Sequence, residues 1–439
     1  MSVPAPAPLA EGVDFDVIVI GGGVAGSVAA HQLATAGREV LLIERGAEPG
    51  SKGLSGGVFY CQVMDRIFPG FSTSEAVERR IVRNTLSFLN PTSAVNVDYR
   101  DERLADPVNA VTVLRGKLDA WLAERCEEAG VTVMPGVKVD GLVREGERVV
   151  GVRAGEDELR AHIVIAADGV NSFISKDAGL RTQEPLNHLA VGVKSVIRLG
   201  RERIEERFNL TGDEGAAFAV VGDCTRGVGG GGFLYTNTDT VSIGVVLRLD
   251  DLKAKGFGAA QVHDHFVDHP AIRPYVRDGE LLEYGSHLVA EGGKAMVKNL
   301  TRPGFMVIGD AAGLTLNTGF TVRGMDLAAG SAVCAAEAAD KALAGADVGA
   351  QAMAAYEQAL WDDVVGKDMT TYQHAPHFLE NPRMYSEYGQ LLADVLHGVY
   401  NLDGTPRRHL LGTARAALKN SPVRLRELAK DAYQAVRSL

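Results

Sequence analysis

The sequence contains little cysteine, and its cysteines stand far apart. Cys61, Cys126, Cys224 and Cys334 are separated by 65, 98 and 110 residues, and no C-x-x-C pair is present that could begin a zinc or iron–sulfur site. Isolated cysteines of this kind are typically reduced and buried. If the chain carries electrons, it therefore has no iron–sulfur cluster of its own.

Long apolar runs are also missing. The best candidate, residues 324–346, falls short of the roughly 18 apolar residues that a membrane-spanning helix needs, because charged residues interrupt it at Asp326, Glu337, Asp340 and Lys341. The opening segment, MSVPAPAPLAEG, has neither a basic region nor an apolar core. We interpret residues 1–13 as a disordered arm and not a signal peptide, which predicts a cytoplasmic protein.

Positive charge is scarce except near the C-terminus. The net charge is −11, but residues 407–439 contain eight basic and two acidic residues, so the remainder carries −17. An acidic body argues against nucleic acid as a partner. In the basic tail, one helical face is apolar: Leu425, Leu428, Ala432, Val436 and Leu439. The tail is either a solvated helix or a surface that binds anionic lipid or an acidic protein.

The strongest local signal lies in DFDVIVIGGGVAGSVAAHQLATAGREVLLIER. An apolar strand precedes Gly21-x-Gly23-x-x-Gly26, a helix follows, and a second strand ends in Glu44. In this arrangement Gly21 permits the tight turn, Gly23 lets the backbone approach a pyrophosphate, and Gly26 allows close helix packing. The phosphates lie at the positive helix N-terminus, and the acid binds ribose hydroxyls. The pattern predicts a dinucleotide site.

Two later strands also end in an acid beside glycine, at Asp168 in HIVIAADGVNS and Asp310 in PGFMVIGDAAGL. With Arg115 and the first motif, they resemble the flavin-binding set shared by aromatic hydroxylases, geranylgeranyl reductases and electron-transfer flavoprotein dehydrogenases. The resemblance implies FAD, with Asp310 at the ribitol. It also implies a helix beginning near Val322, with free N–H groups from residues 318–321 beside flavin N1 and O2.

The FAD-binding residues that follow from the motifs and the resemblance are Gly21, Gly23, Val24, Ala25, Gly26, Glu44, Arg45, Ser55, Gly56, Gly57, Arg115, Val139, Ala167, Asp168, Gly169, Gly309, Asp310, Gly313, Asn317, Thr318, Gly319 and Thr321. No side chain is assigned a catalytic role, because electrons would pass through the flavin. A His-x-His-x-x-x-His run at residues 263–269 is interpreted as part of a helix and not as a metal site, since nothing completes a ligand set.

Several further stretches are similar to electron-transfer flavoprotein:quinone oxidoreductases, and more so to their shorter FixC-type relatives. They are SKGLSGGVFY, HPAIRPYVRDGELLEYGSHLVAEGG, GDAAGLTLNTGFTVRGMDLAAGSA and YQHAPHFLENPRMYSEYG, and the likeness extends from about Asp14 to at least Arg408. It implies an FAD-dependent oxidoreductase that passes electrons from a two-subunit electron-transfer flavoprotein to a quinone.

A run of glycines, GVGGGGFLYTNTD, precedes a predicted strand that it should weaken. In the resembling oxidoreductases, glycines before Phe-Leu-Tyr lie where the quinone approaches the flavin. Missing side chains would let a planar ring contact the backbone. We therefore predict that Gly230 and Gly231 form the quinone wall, with Tyr235 nearby. The alternative is a β-bulge that binds nothing.

The chain departs from the larger quinone oxidoreductases by having no cysteine after Cys334, so their C-terminal iron–sulfur domain is missing. FixC-type proteins share this feature and are associated with a separate ferredoxin-like subunit, for which the basic tail is a candidate landing site. Peripheral contact with the cytoplasmic membrane is also expected. Three alternatives remain open: a geranylgeranyl-reductase-like enzyme, a flavin hydroxylase, and a flavin-bearing scaffold subunit that does not turn over quinone.

The predicted fold class is α/β, a Rossmann-like FAD-binding domain of the GR2 type with an inserted α+β domain and a helical C-terminal region. Residues 14–182 and 286–346 would form the discontinuous FAD domain. Residues 183–285 would form the quinone-facing sheet domain, with one helix near residues 259–267. Residues 347–439 would be mostly helical, with breaks at prolines and the basic tail at the end.

Overall fold

The computed structural model describes residues 12–51 and 56–439. The strands are β1 (Phe15–Ile20), β2 (Val40–Glu44), β3 (Gly57–Tyr60), β4 (Arg80–Asn90), β5 (Ser93–Arg100), β6 (Ala110–Val113), β7 (Thr132–Pro135), β8 (Gly141–Glu145), β9 (Arg148–Ala154), β10 (Asp157–Ala166), β11 (Leu189–Arg198), β12 (Glu214–Gly222), β13 (Gly230–Thr236), β14 (Thr240–Arg248), β15 (Glu280–Ala290), β16 (Thr301–Arg302), β17 (Phe305–Val307), β18 (Leu316–Asn317) and β19 (Val322–Arg323).

The α-helices are α1 (Val24–Thr35), α2 (Gln62–Ile67), α3 (Arg115–Glu128), α4 (Phe173–Asp177), α5 (Arg201–Phe208), α6 (Leu249–Lys255), α7 (Ala259–Asp268), α8 (Arg273–Val276), α9 (Met325–Ala344), α10 (Ala350–Asp362), α11 (Val364–Thr371), α12 (Ala375–Phe378), α13 (Glu387–Tyr400), α14 (Leu410–Asn420) and α15 (Leu425–Ser438). Within the described residues, none is both long enough and apolar enough to cross a bilayer.

The first sheet is parallel at its centre and has the strand order β16-β17-β10-β1-β2-β7. β1 pairs in parallel with β2 and β10, so that Val17 lies opposite Val40 on one side and Ile163 on the other. The central strands are apolar on both faces, as expected for a parallel sheet that is covered on both sides. Helix α1 packs against α3 and the alanine-rich α9. The predicted Rossmann-like domain is confirmed.

The second sheet has the order β15-β11-β14-β13-β12-β4-β6-β3, with β5 on the far side of β4. Its pairs are antiparallel except β12 with β4. One face is buried against helices: Leu234 and Ile243 share a core with Phe266 of α7 and with α5 and α8. Strands β3–β6 come from residues 57–113, and β15 crosses residue 286. The second sheet therefore draws on segments outside 183–285, and the domain boundaries stay a prediction.

The C-terminal region is helical, as predicted, and its last helix is held by one buried carboxylate. Asp431 of α15 accepts hydrogen bonds from Asn381 Nδ2 at 2.7 Å and from Arg383 Nε at 2.8 Å. It also accepts one from the Tyr388 hydroxyl. These bonds tie α15 to the turn before α13. Residues 1–11 of the predicted N-terminal arm lie outside the described residues.

The four cysteines are buried and form no disulfide with one another. Burial raises the pKa of each thiol to about 12. The thiols are therefore protonated and act as small apolar groups in the core, which confirms the prediction that they are buried.

Candidate functional site

The first turn of the site lies between β1 and α1. Gly21 has a φ of +107°, and a Cβ there would lie 2.4 Å from the carbonyl oxygen of Ala167. A Cβ on Gly26 would lie 1.9 Å from the carbonyl oxygen of Gly21. Neither position has room for a side chain, so the turn brings the α1 N-terminus, capped by Gly23, against the strand ends. This end of the helix carries partial positive charge.

Glu44 at the end of β2 fixes the loop beside this turn. Its Oε2 accepts a hydrogen bond from the Gly22 N–H at 2.9 Å, and its Oε1 accepts one from the Gly46 N–H at 2.6 Å. Each carboxylate oxygen retains a further lone pair that a ribose hydroxyl can use. The carboxylate therefore orders the loop and also borders the cavity described below.

Arg115 reaches the same turn from the first residue of α3. Its Nε and Nη2 donate to the two carboxylate oxygens of Asp119 at 2.9 and 2.8 Å. A Cβ on Gly23 would lie 3.2 Å from Arg115 Nη2. Asp119 is buried and was not predicted from the sequence. It holds the guanidinium beside the helix N-terminus, where a phosphate would be bound by both groups.

The two later acidic turns lie at the same sheet edge because β10 and β17 are parallel neighbours. The Ser172 hydroxyl, at 3.0 Å, and Arg181 Nη1, at 2.6 Å, both donate to the carbonyl oxygen of Ala311, which joins the two turns. Burial raises the pKa of Asp168 and of Asp310. Asp168 Oδ2 accepts from the Ile174 N–H at 3.0 Å, whereas its Oδ1 is buried and has no hydrogen-bond partner among the described residues.

The segment after Asp310 differs from the prediction. The N–H of Thr318 donates to the Thr321 carbonyl, that of Gly319 to Asn317 Oδ1, and that of Thr321 to the Thr318 hydroxyl. These three groups are used within a turn that joins β18 to β19, so the expectation of free N–H groups is wrong for residues 318, 319 and 321. Helix α9 begins at Met325 and not near Val322. Gly324 and Met325 bring its N-terminus to the cavity instead.

The glycine run forms a regular strand in the second sheet. β13 pairs with β14 without a register shift from Gly230 to Thr236, so the alternative of a β-bulge does not hold. Gly230 has a φ of +137°, and a Cβ there would lie 1.9 Å from the Val246 carbonyl oxygen. A Cβ on Gly232 would contact the Phe266 ring of α7 at 2.9 Å. Backbone geometry and helix packing therefore account for these two glycines.

Two aromatic rings and one amine lie on the open face of this sheet, opposite the face that packs against α7. The rings of Phe233 and Tyr235 stack at a centroid distance of 5.0 Å. Lys194 of β11 has its Nζ 6.0 Å from the Phe233 centroid and donates to the Gly56 carbonyl at 2.6 Å. Burial, and then the charge of Arg115, lower the pKa of Lys194 to about 7. The sequence did not identify this lysine.

These elements border one cavity of about 830 Å³. The predicted residues that line it are Gly21, Gly23, Val24, Ala25, Glu44, Arg45, Gly56, Gly57, Arg115, Val139, Ala167, Asp168, Gly169, Asp310, Asn317 and Gly319, together with Gly230, Gly231 and Tyr235. Among the residues that the sequence did not assign to the site are Asp119, Lys194, His287, Glu291, Tyr385 and Leu439. Asp119 lies one helical turn after Arg115 in α3, whereas the others come from distant segments in which no local motif indicates them.

Some predicted residues do not line the cavity. Gly26 and Gly309 lie behind it: a Cβ on Gly309 would lie 2.8 Å from Ala25 Cβ. A Cβ on Gly313 would lie 2.8 Å from Met296 Cβ, so this glycine serves packing. The hydroxyls of Thr318 and Thr321 bond to each other at 3.0 Å. Ser55 lies outside the described residues.

The cavity fits an FAD-type dinucleotide by three independent features. The helix N-terminus with Arg115 suits a pyrophosphate, and Glu44 suits a ribose. Asp168 Oδ1 is a buried acceptor without a partner among the described residues, as expected where a ligand hydroxyl completes the bond. When bound, FAD would supply the redox chemistry.

The histidines of residues 263–269 separate to different partners. His263 Nε2 bonds to the Ser195 hydroxyl at 3.1 Å, His265 Nε2 to Asp223 Oδ2 at 2.7 Å, and His269 Nε2 to the Asn90 carbonyl at 2.9 Å. Because the rings do not converge, they do not form a common ligand set. A further histidine, His287, lines the cavity.

Comparisons with known proteins agree with this geometry. An FAD binding domain model matches residues 14–202, and the ETF-QO/FixC family C-terminal domain model matches residues 375–439. The chain is 47% identical over 406 residues to the probable electron transfer flavoprotein-quinone oxidoreductase YdiS of Escherichia coli (strain K12), covering 91% of this chain and 95% of that protein. It is 42% identical over 392 residues to the protein FixC of Salmonella typhi, covering 89% and 91%.

Among solved structures, the fold is similar to a geranylgeranyl bacteriochlorophyll reductase-like protein from Thermoplasma acidophilum, with a TM-score of 0.72 over 96% of this chain and 99% of that one. At 21% identity this likeness shows the fold alone. The relatives at 42–47% identity carry the family assignment. The chain belongs to the electron-transfer flavoprotein-quinone oxidoreductase/FixC family and is an FAD-dependent electron-transfer oxidoreductase.

Proposed function

We propose that this chain accepts electrons from a two-subunit electron-transfer flavoprotein and passes them through FAD to a quinone bound against the open face of the second sheet. The observation that carries the proposal is the continuity of the cavity. The same space extends from the Gly21 turn to Phe233 and Tyr235 on the sheet. A planar acceptor could therefore lie directly beside the flavin, with FAD held by those predicted residues that line the cavity.

The sheet end of the cavity suits an apolar ring. Leu86 of β4 lies opposite Ala219 of β12, and Ala219 lies opposite Phe233 of β13, so all three point to the same face. Each of them lines the cavity. Apolar walls with few polar groups are typical of sites for small hydrophobic ligands. The backbone of Gly231 stands beside them without a side chain to cover it, where its polar groups could meet a quinone carbonyl.

The experiment fills this end of the cavity at Ala219. Substitution of Gly231 by Val is a poorer test, because a Cβ there would lie 2.9 Å from the Val220 carbonyl oxygen and disturb the strand pair. Ala219→Phe should keep bound FAD but slow the reoxidation of reduced flavin by a short-chain quinone by about tenfold or more. Ala219→Ser, which changes the volume little, is the matched control.

Equal quinone rates in Ala219→Phe and the wild type would refute the proposal that the quinone binds against this face of the sheet. Failure of the isolated wild-type chain to be reoxidised by quinone would favour the scaffold alternative. Reoxidation by a polyprenyl lipid and not by quinone would favour the reductase alternative. Each outcome is read from the flavin absorbance after anaerobic photoreduction.

We further propose that residues 400–411, from the end of α13 to the start of α14, contact an anionic membrane surface, where a lipid-soluble quinone is found. This segment exposes Tyr400, Leu402, Leu410 and Leu411, whose exposed fractions are 62–79%, beside Arg407 and Arg408. Exposed apolar residues next to basic ones favour a lipid surface over an acidic ferredoxin. Cosedimentation with anionic vesicles should be lost in Leu410→Ser/Leu411→Ser; retained binding would contradict this. The ferredoxin-like subunit stays a prediction.

A further inference from the structure

A second cavity of about 280 Å³ adjoins the large one. Both cavities are lined by Gly230, Val246, Glu291, Asn317, Leu379 and Tyr385. The smaller cavity is more polar than the sheet wall of the larger one, because its other lining residues include Asn187, His188, Arg248, Gln373, His377 and Glu380. Gln373 and His377 are exposed, so the smaller cavity reaches the surface.

Glu291 is the carboxylic acid that the two cavities share. It follows β15 directly, and its N–H donates to the His188 carbonyl at 2.8 Å, which fixes the backbone. Its Oε2 accepts a hydrogen bond from Asn317 Nδ2 at 3.3 Å. The residue is half-buried by accessible surface, and it lines both cavities. Its carboxyl group therefore stands between a polar route to solvent and the larger cavity, in which the quinone is proposed to bind.

Reduction of a quinone to a quinol requires two electrons and two protons, and the Leu86, Ala219 and Phe233 side chains of the sheet wall have no proton to donate. Resting on the proposed function, we propose that Glu291 is a proton-relay residue that takes protons from solvent through the smaller cavity and passes them to the quinone. When bound, reduced FAD would supply the electron pair and one of the two protons. The second proton comes from the Glu291 carboxyl group, and the resulting carboxylate is reprotonated from solvent.

The charge environment suits such a relay. Burial raises the pKa of Glu291 to about 7, although the hydrogen bond from Asn317 and the positive charge of Arg248 oppose the rise. Arg248 is itself paired with Asp250 at 2.8 Å. The Tyr385 phenol on the remaining side has its pKa raised to about 12, so it stays neutral. Near neutral pH the Glu291 carboxyl group can both lose and regain a proton.

The other titratable groups are less well placed. His188, His377 and Glu380 line the smaller cavity only, on the solvent side of Glu291. They can conduct protons inward but do not border the quinone wall. Lys194 lines the larger cavity only, and its amine donates to the Gly56 carbonyl. Of these groups, Glu291 is the one with access to both spaces.

The first experiment compares two electron acceptors in stopped-flow reoxidation of the reduced holoenzyme. Glu291→Gln should be slower than the wild type with a quinone by on the order of 10²-fold. With ferricenium, which takes an electron without a proton, the two proteins should react equally. Glu291→Asp should recover part of the quinone rate. Glu280→Gln, at an exposed position on β15 beside Arg198, is the matched control.

The pH dependence of the quinone rate tests the direction of proton transfer. The protonated acid donates, so the wild-type quinone rate should fall as the pH rises through about 7. In Glu291→Gln this step should be missing. An unchanged pH profile and quinone rate in the variant would overturn the relay. Equal slowing with ferricenium would also overturn it, because a general disturbance of the flavin would then explain the loss.

A second measurement needs neither FAD nor turnover. Dicyclohexylcarbodiimide modifies protonated carboxyl groups in apolar surroundings, and peptide mass spectrometry locates the label. In the apoprotein, labelling of Glu291 should decline as the pH rises, with a midpoint near 7. Labelling that does not change across this range overturns the relay. A wild-type enzyme that fails to reduce quinone instead overturns the proposed function, and the labelling result then stands by itself.

Discussion

The two ends of the large cavity are built in different ways. At the dinucleotide end, Gly21, Gly26 and Glu44 lie within one βαβ unit, and backbone turns create the shape. At the sheet end, Phe233 of β13 and Lys194 of β11 meet only because distant strands pair. At the dinucleotide end, the glycine positions therefore have almost no room for an added side chain. The second can vary its side chains on a fixed sheet, which is how one fold can accept different partners for the same flavin.

The largest effect is expected from a methyl group at the dinucleotide end. In Gly26→Ala the new Cβ would lie 1.9 Å from the Gly21 carbonyl oxygen, and backbone cannot yield as a side chain can. We expect a loss of about 3 kcal/mol or more in the free energy of unfolding. FAD should also be lost, because α1 can no longer approach the turn. Urea denaturation and the flavin absorbance of the purified protein measure the two effects.

Gly116→Ala is the control for this prediction. It adds the same methyl group within α3, where nothing lies within 4 Å of the new Cβ. Alanine is favoured over glycine in a helix, so a gain of about 0.5–1 kcal/mol is expected. If Gly26→Ala kept both stability and FAD, the contrast between a backbone-built and a side-chain-built end would be broken.

At the sheet end, Lys194→Met should have a smaller, pH-dependent effect. Burial, followed by the charge of Arg115, lowers the pKa of Lys194 from 10.5 to about 7 in the folded state. Between these values the unfolded chain binds a proton that the folded chain does not. Wild-type stability therefore falls as the pH drops from 10.5 towards 7, and it levels off below 7.

Methionine does not ionise, so Lys194→Met removes this pH-dependent contribution to stability. In the apoprotein the stability of Lys194→Met relative to the wild type should be greater by about 3 kcal/mol near neutral pH than near pH 10. Near pH 10 the variant should be less stable by about 1 kcal/mol, because the hydrogen bond to the Gly56 carbonyl is lost. Urea denaturation across this range measures the difference. If the stability difference between Lys194→Met and the wild type did not vary with pH, the result would contradict the lowered pKa of the buried Lys194 amine.

The sequence predicted the dinucleotide end because its determinants are local. An apolar strand, glycines at fixed spacing and Glu44 occur within one short stretch, and each has a geometric role there. The same logic overreached at Gly309 and Gly313, where glycine indicates tight packing behind the cavity as readily as contact with a ligand. Gly230 and Gly232 illustrate this too, since a positive φ and the Phe266 ring account for them.

The sheet end could be predicted only in part. Lys194 and Glu291 carry no motif, and their places depend on β11 pairing with both β14 and β15. Such long-range pairing follows from the whole fold and not from neighbouring residues. The start of α9 was missed for a related reason. The two-residue strands β18 and β19 pair with each other and delay the helix to Met325, and so short a pair has no distinct sequence pattern.

The smallest effect is expected at Asp168, the counterpart of Lys194 at the dinucleotide end. Burial raises the pKa of this carboxyl group above the ordinary value for an aspartate, although the hydrogen bond from the Ile174 N–H opposes the rise. At a pH between the unfolded and the folded pKa, the folded apoprotein thus holds a proton that the unfolded chain has lost. Its stability falls as the pH rises through this window, which is the opposite direction to Lys194.

Asp168→Asn keeps an oxygen acceptor for the Ile174 N–H and removes the charge. The apoprotein variant should be more stable than the wild type at neutral pH, where the buried charge is lost, and should gain nothing below about pH 4, the ordinary pKa of an aspartate. FAD affinity should fall about tenfold, because a neutral amide is a weaker partner for a ligand hydroxyl. Asp140→Asn is the contrasting control: the hydrogen bond from Lys138 lowers the pKa of Asp140, so its loss should reduce stability at neutral pH. If both variants changed stability in the same direction, the result would contradict the role of burial at Asp168. It would also contradict the inference that a ligand hydroxyl completes the hydrogen bonding of Asp168 Oδ1.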